Sequence, residues 1–380
     1  MLNSKKSALG IIFPNSYDAT VPELANVRLM ASIPFASRYR LIDFMLSGMS
    51  NSGIDNISLL VNKNYHSLMD HLGSGREWDL VRKNGGLTLF PPNAEKTSLH
   101  YTGRISALEG IIDFLRSQKE EYVVMADANC AVNFDFAAMI EAHIASGADV
   151  TVAYNETEIP DGYMKLSGED AGFFYTFGLE GDTITNIYVN RAREGKHNLS
   201  MNIFVLKRDL LIQIVDAAFV RGLRYFERDV LMNALDMLKV RGYKFDGYVA
   251  RITSLQSYFN ENMKLLDDAN LNALFDAAPI YTKIRDDNPT RYIAGAKVEN
   301  IMAADGCVIE GEVENSIPFR GVKIEKGAKV KNCILMQDTV VKAGADIEYL
   351  VTDKDVVISE IKTMKGTDSY PIYITKNTTV

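Results

Sequence analysis

Two near-copies of one short segment constrain this chain more than any other feature in it. Ile324-Glu325-Lys326-Gly327-Ala328-Lys329-Val330 and Val341-Lys342-Ala343-Gly344-Ala345-Asp346-Ile347 each set aliphatics six residues apart around a glycine, and Val308-Ile309-Glu310-Gly311-Glu312-Val313 is a looser third copy. An aliphatic recurring about every six residues, in turns of roughly 16 to 18, is what a hexapeptide β-helix requires, because each aliphatic stacks on the next inside a triangular coil. A β-sandwich with glycine turns is the alternative. A short β-helix leaves its coil edges open, and open edges serve subunit contacts.

Ahead of Asp286-Asp287-Asn288-Pro289, the clearest linker signal, the rhythm is different. Ala8 to Phe13 reads as a strand, the segment carrying Arg40, Asp43 and Leu46 as a helix ending near Asn51-Ser52-Gly53, and Asn56 to Val61 as the next strand. This βαβ order predicts a parallel sheet with helices on its faces. Further helices are predicted over Tyr65 to Leu72, Ala107 to Leu115, Asp135 to Ser146, Asp209 to Phe219, Glu227 to Val240 and Ser254 to Leu274, with Trp78 in a surface loop. Strands are predicted at Leu87 to Phe90, Glu121 to Asp127, Asp149 to Tyr154, Met201 to Leu206 and Tyr243 to Val249, and antiparallel hairpins between Glu156 and Arg193. With 380 residues the chain exceeds one ordinary core. The expected division is an α/β domain over 1–252, a helical linker over 253–289 and the β-helix over 290–380.

A net charge of -8 and a pI near 5.3 argue against nucleic acid or an acidic membrane as the main partner. Met1 to Lys6 leads straight into a strand and no apolar run reaches membrane-spanning length, so the expected compartment is the cytoplasm. Cys130, Cys307 and Cys333 lack metal-ligand spacing and sit in apolar runs, as core thiols do. The five histidines form no ligand spacing either, and His66 and His71 fall on different faces of their helix.

In an open parallel sheet the ligand crevice lies beyond the carboxyl ends of the strands. Asp127 closes an apolar strand there and is the best single site candidate, although such an Asp also serves as a turn former or cap. The loop after the first strand should cradle phosphate with glycine backbone and cations. Here Ile12-Phe13-Pro14-Asn15-Ser16-Tyr17-Asp18 brings a proline and an acid, with Gly10 the only glycine nearby.

An α/β domain followed by hexapeptide coils resembles the sugar-nucleotide pyrophosphorylases. The stretches Ile33-Pro34-Phe35, Tyr39-Arg40-Leu41-Ile42-Asp43-Phe44, Asn51-Ser52-Gly53-Ile54, Trp78-Asp79-Leu80, Leu89-Phe90-Pro91-Pro92, Asn262-Met263-Lys264-Leu265-Leu266 and Ala303-Ala304-Asp305-Gly306-Cys307-Val308-Ile309-Glu310-Gly311 narrow the likeness to the glucose-1-phosphate adenylyltransferase (ADP-glucose pyrophosphorylase) family. The resemblance implies a Rossmann-like nucleotidyltransferase domain, mostly parallel sheet with helices on both faces, and a C-terminal left-handed parallel β-helix. Catalysis in the family implies attack by glucose 1-phosphate on the α-phosphate of ATP, with magnesium held by two aspartates.

The departures carry the functional expectation. Where the family has G-G-x-G-x-R-L, this chain runs from Gly10 to Tyr17 without the glycines or the arginine. A-K-P gives way to Met30-Ala31-Ser32, G-T-A-D-A to Gly103-Arg104-Ile105-Ser106-Ala107, and E-K-P to Val189-Asn190-Arg191. One magnesium aspartate matches Asp127; the other, in G-Y-W-x-D-V-G-T, is Arg251 in Gly247-Tyr248-Val249-Ala250-Arg251-Ile252-Thr253-Ser254. A guanidinium cannot ligate magnesium, and Arg251 is expected to pair with Asp127 instead. Groups that act together are lost together, since a site disabled once gains nothing from the rest.

The chain thus resembles the non-catalytic regulatory partner of a two-subunit bacterial enzyme, with Asp127 vestigial and no metal or cofactor expected in this chain, Mg2+ belonging to the catalytic partner. The implied partners are that catalytic paralogue, in a heterotetramer, and a sugar-phosphate effector, for which Arg28, Arg38 and Arg40 form a candidate anion patch. The simpler expectation for two of these is that Arg40 pairs with Asp43 and Arg38 is solvated. Two further readings are a weakly active transferase using Asp127 with Asp18 or Asp43, and a sugar-phosphate or nucleotide sensor.

Overall fold

The structure, a computed structural model, describes residues 7–91, 103–164, 173–191 and 194–380. Its strands up to the linker are β1 (Ala8–Phe13), β2 (Pro34–Phe35), β3 (Tyr39–Arg40), β4 (Asn56–Leu60), β5 (Gly86–Phe90), β6 (Tyr122–Asp127), β7 (Cys130–Ala131), β8 (Val150–Glu158), β9 (Tyr175–Glu180), β10 (Thr183–Val189), β11 (Lys196–Lys207), β12 (Val240–Lys244) and β13 (Ala250–Arg251). The helices are α1 (Pro22–Ala25), α2 (Leu41–Asn51), α3 (His66–Leu72), α4 (Arg104–Glu109), α5 (Ile112–Ser117), α6 (Phe136–Ser146), α7 (Asp161–Met164), α8 (Arg208–Val220), α9 (Leu255–Met263) and α10 (Asp268–Phe275).

One nine-stranded sheet runs β5-β4-β1-β6-β11-β8-β12-β10-β9. Its β5-β4-β1-β6 half is parallel, as expected, whereas β11 lies antiparallel to both β6 and β8, so the other half is mixed. Along β1 and β6 the side chains divide between two cores: Ala8, Ile12 and Val124 meet α2, α3 and α6, and Leu9, Ile11, Val123 and Met125 meet α4, α5 and α8. Burial on both faces explains why these strands read as continuous apolar runs.

Several predicted elements differ. The Ala107–Leu115 helix is broken near Gly110 into α4 and α5. Glu227 to Val240 forms no α-helix: a π-turn over Phe226–Val230 and a 3-10 turn over Leu231–Asn233 replace it, with Phe226, Glu227 and Leu231 buried. Trp78 is fully buried with its ring against His71, not in a surface loop. Ser254 to Leu274 is two helices, each started by a side-chain cap: Ser254 Oγ accepts from Ser257 N (3.0 Å) and Asp267 Oδ1 from Ala269 N (2.9 Å).

Beyond Arg291 the strands stack in parallel coils. Ile309, Ile324, Val341 and Ile358 pair in succession, as do Val313, Val330, Ile347 and Met364 on the second face. The interior is Cys307, Cys333 and these aliphatics, and all three cysteines of the chain are free and buried. The third face differs, since Ile317, Ile334 and Val351 join a core with Phe35, Phe44, Tyr258 and Phe259. That face is therefore apolar inside and out, and α9 is clamped between coil and sheet. No helix among the described residues is long and apolar enough to cross a membrane.

Candidate functional site

β6 delivers Asp127 to the carboxyl edge of the sheet, buried and with both oxygens engaged. Oδ1 accepts from Ser16 Oγ (2.8 Å), on the loop after β1, and Oδ2 from Arg104 Nη2 (2.6 Å). The other terminal nitrogen of Arg104, Nη1, donates to Glu227 Oε1. The guanidinium also lies over two rings, its Cζ 5.4 Å from the centroid of Phe13 and 5.5 Å from that of Phe204. Burial, the largest single influence, works against the Arg104 charge, but Asp127 together with Tyr17 and Tyr175 holds the pKa above its ordinary value. Gly103 makes this approach possible: at φ +100 it opens α4 against Arg224, whose carbonyl oxygen stands 2.4 Å from where a Cβ would be. Only glycine fits there.

The expected pairing of Arg251 with Asp127 is therefore corrected. Arg251 is buried in β13, and its guanidinium donates to Ser200 O (3.0 Å) and Asn155 Oδ1 (2.8 Å) instead. Arg104 had already satisfied the carboxylate from the other side of the crevice.

Where a phosphate cradle was sought, the loop after β1 projects a ring. Tyr17, itself at φ 67, sets its ring 5.2 Å from Tyr163, which stacks on Phe174 at 5.4 Å. The Tyr17 hydroxyl donates to Phe173 O (2.6 Å) and accepts from Asn202 Nδ2 (2.8 Å), and burial pushes its pKa well above the usual phenol value. Asp18 turns away from Asp127: it accepts Met30 N (2.7 Å) and Asn15 Nδ2 (2.8 Å), and burial lifts its carboxyl to about 7 against those bonds. Asp43 is also elsewhere, bound to His71 Nε2 (2.6 Å) and to the backbone N of Arg40 (2.9 Å). Neither Asp18 nor Asp43 joins Asp127 in one site. Among the described residues, no group of three His, Cys, Asp or Glu side chains is placed to hold a metal ion.

The three arginines of the anion patch separate. Arg28 is buried at the seam with the β-helix, where Nη2 donates to Asp353 Oδ1 (2.6 Å) and Nη1 has no partner among the described residues. Asp353 also accepts from Tyr373 Oη (2.7 Å). Arg40 does not pair with Asp43 through its side chain; its guanidinium donates to Ser67 O (2.6 Å) and Oγ (3.0 Å). Between them lies Lys354, whose amine falls to about 7 through burial first and then through Arg40 and Arg28. Arg38 is apart from this group, exposed over the ring of Tyr39. Sequence reasoning missed Arg104, Glu227, Tyr17 and Lys354 as site residues. The available signals were an arginine opening an amphipathic segment after a glycine and a tyrosine where a cradle was wanted; Glu227 and Lys354 gave none.

A nucleotidyl transferase family model matches residues 24–267, and a GlmU-like C-terminal hexapeptide model matches residues 284–370. The glycogen biosynthesis protein GlgD of Bacillus subtilis (strain 168) is 31% identical over 369 residues, 97% of this chain and 95% of that protein. The GlgD of Geobacillus stearothermophilus is 36% identical over 85% of this chain and 82% of its own length. The glucose-1-phosphate adenylyltransferase of Bacillus cytotoxicus is 30% identical over 96% and 97% of the two chains. With the sheet, the hexapeptide coils and end-to-end similarity in agreement, the chain belongs to the nucleotidyl transferase family, in the group that holds the GlgD proteins and the glucose-1-phosphate adenylyltransferases.

Proposed function

We propose that this chain is a non-catalytic regulatory and scaffolding subunit of a glucose-1-phosphate adenylyltransferase in glycogen biosynthesis. A catalytic paralogue, in a cytoplasmic heterotetramer, converts ATP and glucose 1-phosphate to ADP-glucose and pyrophosphate and holds the Mg2+. The observation that carries this reading is Arg104 bridging Asp127 and Glu227. A carboxylate spoken for by a guanidinium and a hydroxyl is a poor ligand for a metal, and the Tyr17 ring occupies the same crevice. Mixing supplies the test. Adenylyltransferase activity is measured for this chain alone, the paralogue alone and the two together; near-zero, basal and raised rates are expected. Brisk turnover by the lone chain, or identical kinetics with and without it, overturns the reading.

Regulation in this proposal runs through the seam between sheet and β-helix. Around Lys354 the cations Arg28, Arg40 and Lys376 face the single carboxylate Asp353, with Asp43 and Asp70 also acting on Arg40, and a phosphorylated sugar would supply a further anion beside the Lys354 amine. Arg38, standing apart, is not needed for it. A coupling of about 1 to 3 kcal/mol between that anion and the subunit interface suffices to shift a partner's activity. If Lys354→Ala leaves the phosphate response of the mixed enzyme unchanged, this site is wrong while the subunit role survives.

A further inference from the structure

We propose that Arg104 is a built-in counter-ion, its guanidinium standing in for a divalent cation between Asp127 and Glu227, so that its removal unmasks a cation site the native chain lacks. The side chains of Asp127 and Glu227 are 0% and 3% exposed and converge on one residue from two distant elements, the end of β6 and the π-turn after α8. Two buried carboxylates this close cannot both stay ionised without a positive charge between them. Arg104 provides it through two separate nitrogens, and Phe13 and Phe204 flank its Cζ. With the guanidinium gone, the pair must bind protons or recruit a cation. Ser16 Oγ, already on Asp127, adds a third oxygen to a site of the hard, oxygen-rich kind that Mg2+ and Mn2+ accept.

Glu227 is what makes the inference specific. It is not one of the two positions that the resemblance marks for metal, and the second of those positions, Arg251, faces Asn155 and Ser200. The unmasked site would thus consist of Asp127 with Glu227, independently of Arg251 and of any partner subunit.

The test uses the full chain and Mn2+, followed by the electron paramagnetic resonance of the free ion and by thermal unfolding. Native protein is expected to take up no saturable Mn2+ and to show no shift in melting temperature. Arg104→Thr and Arg104→Met should each bind Mn2+ saturably and melt several degrees higher with it, and adding Glu227→Gln should weaken that uptake roughly tenfold or more. Arg104→Met keeps an apolar stem beside Phe13 and Phe204 and decides the matter if the threonine variant fails to fold. Should neither fold in metal-free buffer, recovery of folded chain on refolding with Mn2+ supports the proposal and failure to recover overturns it. Equal Mn2+ uptake by the native chain, a folded variant that takes up none, or uptake indifferent to Glu227→Gln also overturns it.

Discussion

Asp353→Asn and Arg28→Met should destabilise the protein by different amounts, though they break the same 2.6 Å ion pair. Both side chains are almost fully buried, at 1% and 3% exposure, and removing one member of a buried pair costs about 3–5 kcal/mol because the other charge is left uncompensated. Asp353→Asn should cost that full amount. It strands Arg28 beside Arg40 and Lys354, and it takes the charged acceptor from Tyr373. After Arg28→Met the carboxylate keeps the Tyr373 hydroxyl and the Lys354 backbone N–H (2.6 Å), and Lys354 loses a repelling neighbour, so its amine can protonate and take over. The cost should fall to about 2–3 kcal/mol. Urea unfolding followed by circular dichroism, on both single variants and the double, measures the two costs and their coupling, which should be about 1–3 kcal/mol. Because the pair is out of water, the costs should scarcely change between low and high salt. Equal costs, a dearer Arg28→Met, or costs below about 1 kcal/mol for both would refute the picture of a carboxylate holding three cations at the seam.

Asp18 has its folded pKa raised to about 7 from an ordinary 3.8, so the folded state binds the proton more tightly and stability falls as pH rises from about 4 to 7. Asp18→Asn, which keeps an acceptor for Met30 N but gives up the bond from Asn15 Nδ2, removes the titrating group and should flatten that slope in thermal unfolding followed across pH. Phosphate binding beside Lys354, which Arg40, Arg28, Asp353 and Lys376 surround, should draw a proton onto the amine and weaken above pH 7; calorimetry in buffers of different ionisation enthalpy reads the uptake. Ile361 sits at φ 58 where the coils above it have Gly327 and Gly344, with its side chain 81% exposed. Ile361→Gly should gain up to about 1 kcal/mol in thermal or urea unfolding, the relief of left-handed strain less the freedom glycine adds to the unfolded chain. Gly162→Ala should lose about 3 kcal/mol or more in the same assay, since its Cβ would stand 2.0 Å from Thr253 O.

Much of the frame was legible from local pattern. The alternation of aliphatic and glycine fixed the coils, because a β-helix repeats the same contact at every turn and writes it into the sequence each time. The strand Ala8–Phe13 was legible to the residue and Tyr122–Asp127 to within one residue, as runs buried on both faces allow. The departures at the cradle and at Arg251 were legible too, since they need only a motif for comparison. What tertiary structure alone decided was which charge meets which. Arg104, Asp127 and Glu227 are distant along the chain and share no periodicity, and any of several arginines carried the charge to neutralise that crevice. Arg104 holds the place and Arg251 does not because Gly103 lets α4 close on Arg224, while Asn155 and Ser200 offer Arg251 neutral acceptors of its own. An ion pair is selected by distance and desolvation in three dimensions, and a sequence encodes the charges without encoding either.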